Sequence, residues 1–218
     1  MSSQRLHFYS VIELIPETYV APLDPVAIFG RVAPVQVDLG CGDGSFLYEL
    51  ASRYPEKNFL GTERMVGRVA KSCRKSANLE NVRVLNVESS YAIGYLLPER
   101  SVETFYLLFP DPWPKRRHHR RRIVTKAFLE STHRALENSG VLQIATDQFD
   151  YFRHIERLAD ASSLQIGEKL DGSKPSSLGE ETSSGKNDNF PLTKFERRFS
   201  ALGVPIYRLA LRKISPVR

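Results

Sequence analysis

The sequence predicts an α/β fold: a doubly wound, Rossmann-like sheet, mostly parallel, with an antiparallel C-terminal strand. Three observations lead there. Short apolar bursts alternate with segments of helical periodicity, the pattern of βαβ units whose helices cover both faces of a parallel sheet. The first burst, Val35-Gln36-Val37-Asp38-Leu39, stops at Gly40-Cys41-Gly42-Asp43-Gly44, as a buried strand does when it hands over to a helix. The last, Ile206-Tyr207-Arg208-Leu209-Ala210-Leu211, is an alternating strand expected to close the sheet edge antiparallel to its neighbour.

Taken in order, residues 1–33 are mixed and dotted with Pro16, Pro22 and Pro25. They read as an irregular N-terminal arm with at most a short helix near Pro25 to Gly30. Residues 34–218 read as a single domain, because a chain of 218 residues has length for one sizeable core. Apolar bursts place strands at 35–39, 58–62, 82–87, 104–109 and 141–146. Between and after them, helical spacing places helices at 45–53, 64–76, 123–137 and 150–161. Residues 167–189 carry almost nothing apolar to bury and read as a mobile loop.

Composition narrows the partners. The net charge of +6 and isoelectric point near 9.4 are moderate, but the cations cluster, the footprint of a phosphate-rich partner. Two cysteines, Cys41 and Cys73, form neither a disulfide framework nor a zinc spacing, and adjacent His118 and His119 lack further ligands in spacing. No metal is expected. The N-terminus lacks the apolar core of a signal peptide, and no apolar run approaches the roughly eighteen residues that span a bilayer. A cytoplasmic protein without membrane contact is expected, and monomer and homodimer stay equally open.

The glycine run sits where doubly wound sheets bind ligands, outside the strand C-termini. Gly40 and Gly42 let a ligand approach the backbone. The dinucleotide fingerprint would place its third glycine where Ser45 stands, and a pyrophosphate would be repelled by Asp38 and Asp43. A cationic ligand would not, and S-adenosyl-L-methionine brings an ammonium and a sulfonium. Glu63 ends the second strand, nineteen residues after Gly44, where a carboxylate can accept both ribose hydroxyls. Glu88, just past the third strand, is placed to meet the adenine edge.

A second feature follows the fourth strand: Phe109-Pro110-Asp111-Pro112-Trp113-Pro114-Lys115, then Arg116-Arg117-His118-His119-Arg120-Arg121-Arg122. Prolines fix the backbone and withhold N–H donors, so Asp111 and Trp113 stand on a stiff loop rather than a strand. Six positive charges in the eight residues from Lys115 to Arg122 repel one another unless a polyanion is present. An aromatic ring and a carboxylate beside clustered arginines suit a flat polar base attached to a phosphate backbone.

On these residues the chain resembles the bacterial tRNA (guanine-N7)-methyltransferases, class I enzymes that use S-adenosyl-L-methionine. Three blocks carry the resemblance: Asp38 to Gly44 with Gly61-Thr62-Glu63, then Phe109 to Ile123, then Thr146-Asp147 with Thr193-Lys194-Phe195-Glu196. It implies methylation at N7 of guanine 46 in the tRNA variable loop. It also implies cofactor roles for Asp38, Glu63, Glu88 and Asp111, and tRNA-substrate roles for Lys115, Asp147, Thr193, Lys194, Phe195 and Glu196. Asp38 and Glu88 stand where the family often has Glu and Asp.

Asp111 reads as a catalytic group that positions and stabilises charge, because N7 of guanine carries no proton for a base to remove. Arg116, Arg117, Arg120, Arg121 and Arg122 read as contacts to the RNA backbone. Without the resemblance, Thr193 and Glu196 form a Thr-x-x-Glu pattern that reads as a helix cap. Trp113 is assigned no role, since a buried anchor and a stacking platform are equally compatible with it. Competing readings are an amino methyltransferase acting on an exocyclic amine, a non-catalytic RNA-binding module on the same fold, and, least favoured, a dinucleotide dehydrogenase.

Overall fold

The apolar bursts pair into one sheet in the computed structural model, which describes residues 12–170 and 191–213. In chain order the strands are β1 (Glu13–Leu14), β2 (Val35–Leu39), β3 (Asn58–Thr62), β4 (Val82–Leu85), β5 (Val102–Leu108), β6 (Leu136–Thr146), β7 (Leu164–Leu170) and β8 (Tyr207–Lys213). Across the sheet they lie β1-β4-β3-β2-β5-β6-β8-β7. Strands β1 to β6 pair in parallel, and β8 is antiparallel to β6 and β7. From β2 the chain builds outward through β3 and β4 on one side, then returns to build β5 and β6 on the other. The turns after β2 and β5 therefore diverge and leave a crevice between them.

Helices cover both faces. They are α1 (Pro25–Phe29), α2 (Ser45–Arg53), α3 (Val66–Lys75), α4 (Ser89–Tyr91) running into a π-helical turn at Ala92–Leu96, α5 (Lys126–Ala135), α6 (Phe149–Asp160) and α7 (Lys194–Ala201), with a 3-10 helix at Arg116–Arg121. Phe46, Leu47 and Leu50 of α2 and Val69 and Cys73 of α3 bury their apolar faces on Phe59, Val82 and Val84. Phe128 and Leu129 of α5 and Tyr151, Phe152 and Ile155 of α6 share a second cluster with Val37, Phe105, Leu107 and Leu142. Tyr151, Phe59, Phe105 and Leu47 are fully buried.

Two strand expectations need correction. The strand expected to close the edge, β8, is internal, flanked by β6 and β7. Leu209, Ala210 and Leu211 are buried in succession, the signature of a strand covered on both faces, and this run outweighs the alternation around it. The edge is β7, whose Gln165, Glu168 and Lys169 are the polar residues an unpaired edge tolerates. Residues 167–170, expected at the start of a mobile loop, continue that strand, while 171–190 lie outside the described residues. Within the segment expected as an irregular arm, β1 pairs with β4 and Asp24 caps α1 by accepting from the Val26 amide; residues 1–11 lie outside the described residues. Among the described residues, no helix is long and apolar enough to cross a membrane.

Gly44 fixes how α2 and α3 meet beneath the crevice. It caps α2 with φ +74°, and a Cβ there would sit 2.8 Å from the Ser72 Cα of α3. Both the left-handed backbone and the helix contact exclude a side chain. Gly44→Ala is expected to destabilise the fold by about 2–5 kcal/mol, strain and overpacking together. The measurement is the urea midpoint at unchanged m-value; a loss under about 0.5 kcal/mol would show that the two helices slide apart freely.

Candidate functional site

The crevice is a cleft of about 870 Å³ outside the C-terminal ends of β2, β3, β4 and β5. Asp38, Gly40, Gly42, Glu63 and Glu88 line it from the first three of those strands and their turns. Phe109, Asp111, Trp113 and Arg121 line it from the loop after β5. Thr193, Lys194 and Phe195 line it from the start of α7. These twelve residues, all quoted in the sequence motifs, thus meet in one opening, from segments far apart in the chain.

Glu63 organises the first half. Its Oε2 accepts from the Gly42 amide at 3.1 Å and its Oε1 from the Met65 amide at 2.8 Å, so one carboxylate ties the glycine turn to the start of α3. Gly40 donates its amide to Thr62 Oγ1 at 3.3 Å. With φ +77° and open space where a Cβ would point, Gly40 leaves its backbone accessible from the cleft.

Asp38 is 4% exposed. Burial, and secondarily the charge of Glu63, pushes its carboxyl up to about 7. Asp43 behaves oppositely. Burial works against its ionised form, but hydrogen bonds from Lys194, from the hydroxyl and amide of Ser45, and from Lys75 prevail and hold it well below the usual carboxylate range. Glu88 caps α4, accepting from the Tyr91 amide at 3.0 Å, and stays exposed toward the cleft.

In the second half, the Phe109 amide completes the ladder to β6 through Ala145 O at 2.8 Å before the chain turns away. Phe109 and Trp113 both hold positive φ, +54° and +43°, strain that the prolines and neighbouring rings keep in place. Phe109 packs on Phe195 and Phe199 of α7, with ring centroids 5.7 and 5.5 Å away. Asp111 projects into solvent, with Arg64 Nη2 4.0 Å from its Oδ2. Trp113 is half-buried; the Arg121 guanidinium lies 4.9 Å from its ring centroid and His118 meets its edge.

Other residues stand elsewhere. Lys115, Arg116, Arg117 and Arg120 are exposed on and beside the 3-10 helix. Arg122 is corrected: it is 5% exposed, donates to Pro112 O at 2.8 Å and stacks 4.6 Å from the Tyr151 ring. It anchors the proline loop and is not open to a phosphate. Glu196 is corrected too, being 2% exposed, with Thr193 in a capping box and with Arg208 in an ion pair at 2.5 Å. The capping pattern visible in the sequence is the one that forms. Asp147 lies past the end of β6, outside the cleft lining, and accepts from Gln148 Nε2 at 2.7 Å.

Sequence reasoning missed Lys75 and the rim residues Arg64 and Arg68. The signal for the two arginines was present, since Arg64 follows Glu63 directly and Arg68 puts a cation in the first turn of a helix, where acids are usual. Among the described residues, no group of three or more His, Cys, Asp or Glu could hold a metal ion.

A family model described as "Putative methyltransferase" matches residues 32–209. A Thermotoga maritima protein named tRNA (guanine-N(7)-)-methyltransferase is 34% identical over 208 residues, covering 93% of this chain, and the chain spans 61% of that relative's length. Proteins of the same name from Aeromonas hydrophila and Halorhodospira halophila are 36% and 37% identical, and this chain spans 81% and 82% of them. Among solved structures, the 16S rRNA methyltransferase KamB superposes with a TM-score of 0.58 at 16% identity, over 86% of this chain and 90% of that one. A 30S ribosomal A1408 methyltransferase from an uncultured bacterium gives 0.54 at 18% identity, over 87% and 92%. At these identities the structures establish the shared fold.

Asp38 sets a pH dependence. In the unfolded chain it ionises near the ordinary aspartate value of 3.8, and in the folded protein burial moves this to about 7. Between those values the unfolded state has released a proton that the native state keeps, so stability falls as pH rises from about 4 to about 7. Asp38→Asn cannot titrate. Its stability relative to wild type is expected to improve across that window by on the order of 3–4 kcal/mol, measured by urea unfolding at each pH. A difference that stays constant with pH would rule out a buried protonated Asp38.

Proposed function

The chain belongs to the bacterial tRNA (guanine-N7)-methyltransferase family, and from that premise we propose that it methylates N7 of a tRNA guanine, using S-adenosyl-L-methionine, in the cytoplasm. Guanine 46 of the variable loop is the position the family resemblance implies. The observation that carries the reading is the meeting of acidic strand ends and the proline-framed Asp111 in one cleft.

The donor set fits the cofactor. Asp38 offers a buried carboxyl to an ammonium, and Glu63, whose oxygens each retain an unused lone pair, can accept ribose hydroxyls. Glu88 lies on the same wall for the adenine edge. The open backbone at Gly40 admits close approach. When bound, S-adenosyl-L-methionine supplies a sulfonium methyl that passes to the N7 lone pair, the carbon–sulfur bond breaking as the carbon–nitrogen bond forms, with no proton removed.

The chain's own contribution is positioning and charge. Methylated guanine is cationic, so the Asp111 carboxylate, carried on a stiff loop, stabilises charge that grows on the ring and accepts hydrogen bonds from its N–H groups. Arg64 stands opposite Asp111, its Nη2 4.0 Å from the carboxylate Oδ2. Phe195, exposed on the cleft wall and packed on Phe109, offers a flat face to a base drawn out of its stack. Lys115, Arg116, Arg117, Arg120 and Arg121 meet the backbone, with Asp147 on the substrate side past β6. Arg122 and Glu196 act by holding the loop and α7 in place.

Methyl transfer from labelled S-adenosyl-L-methionine to unmodified bulk tRNA, with product nucleosides separated, is expected to place label in 7-methylguanosine, and a variable-loop guanine-to-adenine transcript to abolish it. Label in methyladenosine would favour the amino methyltransferase, and cofactor binding without transfer would favour the RNA-binding module. Asp111→Asn is expected to lower turnover about 10²–10³-fold while cofactor Kd, by calorimetry, stays within about threefold; equal losses in both would remove Asp111 from the chemistry.

A further inference from the structure

Helix α3 and the turn before it carry a cationic face of which Lys71 and Arg74 have no part in the preceding roles. Between Arg64 and Lys75 the chain has five cations, Arg64, Arg68, Lys71, Arg74 and Lys75, and no acid. Arg68, Lys71 and Lys75 of α3 follow one another at intervals of three and four residues, which on a helix is a single stripe with neighbours about 5–6 Å apart, and Arg64 stands in the turn just before the helix. Arg64, Arg68, Lys71 and Arg74 are exposed and Lys75 is half-buried, while the opposite face buries Val69, Ser72 and Cys73.

The stripe borders the cleft along its length. It begins at Arg64, 4.0 Å from Asp111, passes Arg68, 3.9 Å from Glu63, and ends at Lys75, 3.3 Å from Asp43. Asp111, Glu63 and Asp43 all line the opening. Lys71 and Arg74 have no acid of the described residues within ion-pairing distance.

Helix physics does not account for the arrangement. The macrodipole favours Arg74 and Lys75 in the last turn but disfavours Arg68 in the first, whose own residues include no acid, its partner Glu63 standing before the helix. A solvated helix face usually alternates signs, and like charges four apart destabilise it. Arg64 follows β3 and the Arg116–Arg121 segment follows β5, on the two sides of β2, so the cleft is flanked by cations on both walls.

We propose that the α3 stripe is a second RNA-backbone contact surface, which together with the Arg116–Arg121 segment lets a tRNA straddle the cleft. This rests on the proposed reading of the cleft as a tRNA methylation site. A polyanion whose base enters at Asp111 must carry its neighbouring phosphates past one wall or both, and Met65 and Val66, exposed at the start of α3, give the sugars an apolar footing beside the cations.

The test uses the full chain with Lys71→Ala/Arg74→Ala, two exposed positions outside the cleft lining, and Lys71→Arg as the conservative variant. At about 0.15 M salt the double variant is expected to raise the KM for tRNA roughly 5–20-fold, with kcat and cofactor Kd within about twofold. The slope of log affinity against log salt should become shallower by about 1–2. Lys71→Arg should match wild type. Filter binding of tRNA reads the surface independently of chemistry: a wild-type chain that transfers no methyl yet loses RNA affinity in the double variant would sustain the surface and end the functional reading. Unchanged KM and salt slope in an active enzyme would overturn the proposal. So would loss of sedimentation with phosphatidylserine vesicles at unaltered tRNA affinity, which would assign the stripe to a membrane surface.

Discussion

The carboxylate of Glu63 is the interaction on which the cleft depends. It stands at the end of β3, beside the end of β2, and its two oxygens take the amides of Gly42 and Met65. Those amides belong to the two turns that begin α2 and α3, so one side chain fixes the ligand-facing shape of both. A buried carboxylate must be hydrogen-bonded, and here its partners are the backbone groups that a glycine turn and a helix start would otherwise leave open. The same charge helps to keep neighbouring Asp38 protonated in a dry site. A cation placed against Asp38 would reverse that balance by favouring its ionised form.

The other wall is stiffened by different means. Three prolines limit the backbone after β5, but it is Arg122 that returns the loop to the core, bonding Pro112 O and stacking on fully buried Tyr151. Tyr151 in turn accepts from the Val124 amide at 3.2 Å. The last arginine of the run therefore differs in kind from those before it, although the run looks uniform in sequence. Across the opening, α7 is held by Lys194 on Asp43 and by Arg197 on Glu49 of α2 at 2.6 Å, which bring Phe195 to the rim.

Much of this was legible in the chain. The strands at 35–39 and 58–62 form over those same residues, because apolar bursts ended by glycine or acid leave little choice. The cofactor-side acids were legible because strand ends in a doubly wound sheet share one edge. Burial was not. Nothing local separates Arg122 from Arg121, and only the position of Tyr151, twenty-nine residues later, decides which guanidinium turns inward. The edge strand β7 was hidden because a solvent-tolerant strand is polar, and polar segments read as loops. For Thr193 and Glu196, the local capping rule predicted the observed hydrogen bonds, whereas the resemblance pointed to substrate.

Acids and cations around the opening are sorted by depth. Asp38 and Glu63 are buried at its floor, while Arg64, Arg68 and Arg121 stand at its exposed rim. Inside, low dielectric strengthens the attraction of carboxylates for a small cation. At the rim, solvent screens each cation, and only a ligand that meets many of them gains appreciably. The two ligands of the proposed reaction carry opposite charges and must enter one cleft without exchanging places. A floor that attracts an ammonium and a rim that attracts a phosphate chain separate them by size as well as sign: the polyanion cannot descend among the acids, and the small cation gains nothing by stopping at the arginines. Asp111, exposed at the boundary and facing Arg64, is the carboxylate placed where the two meet.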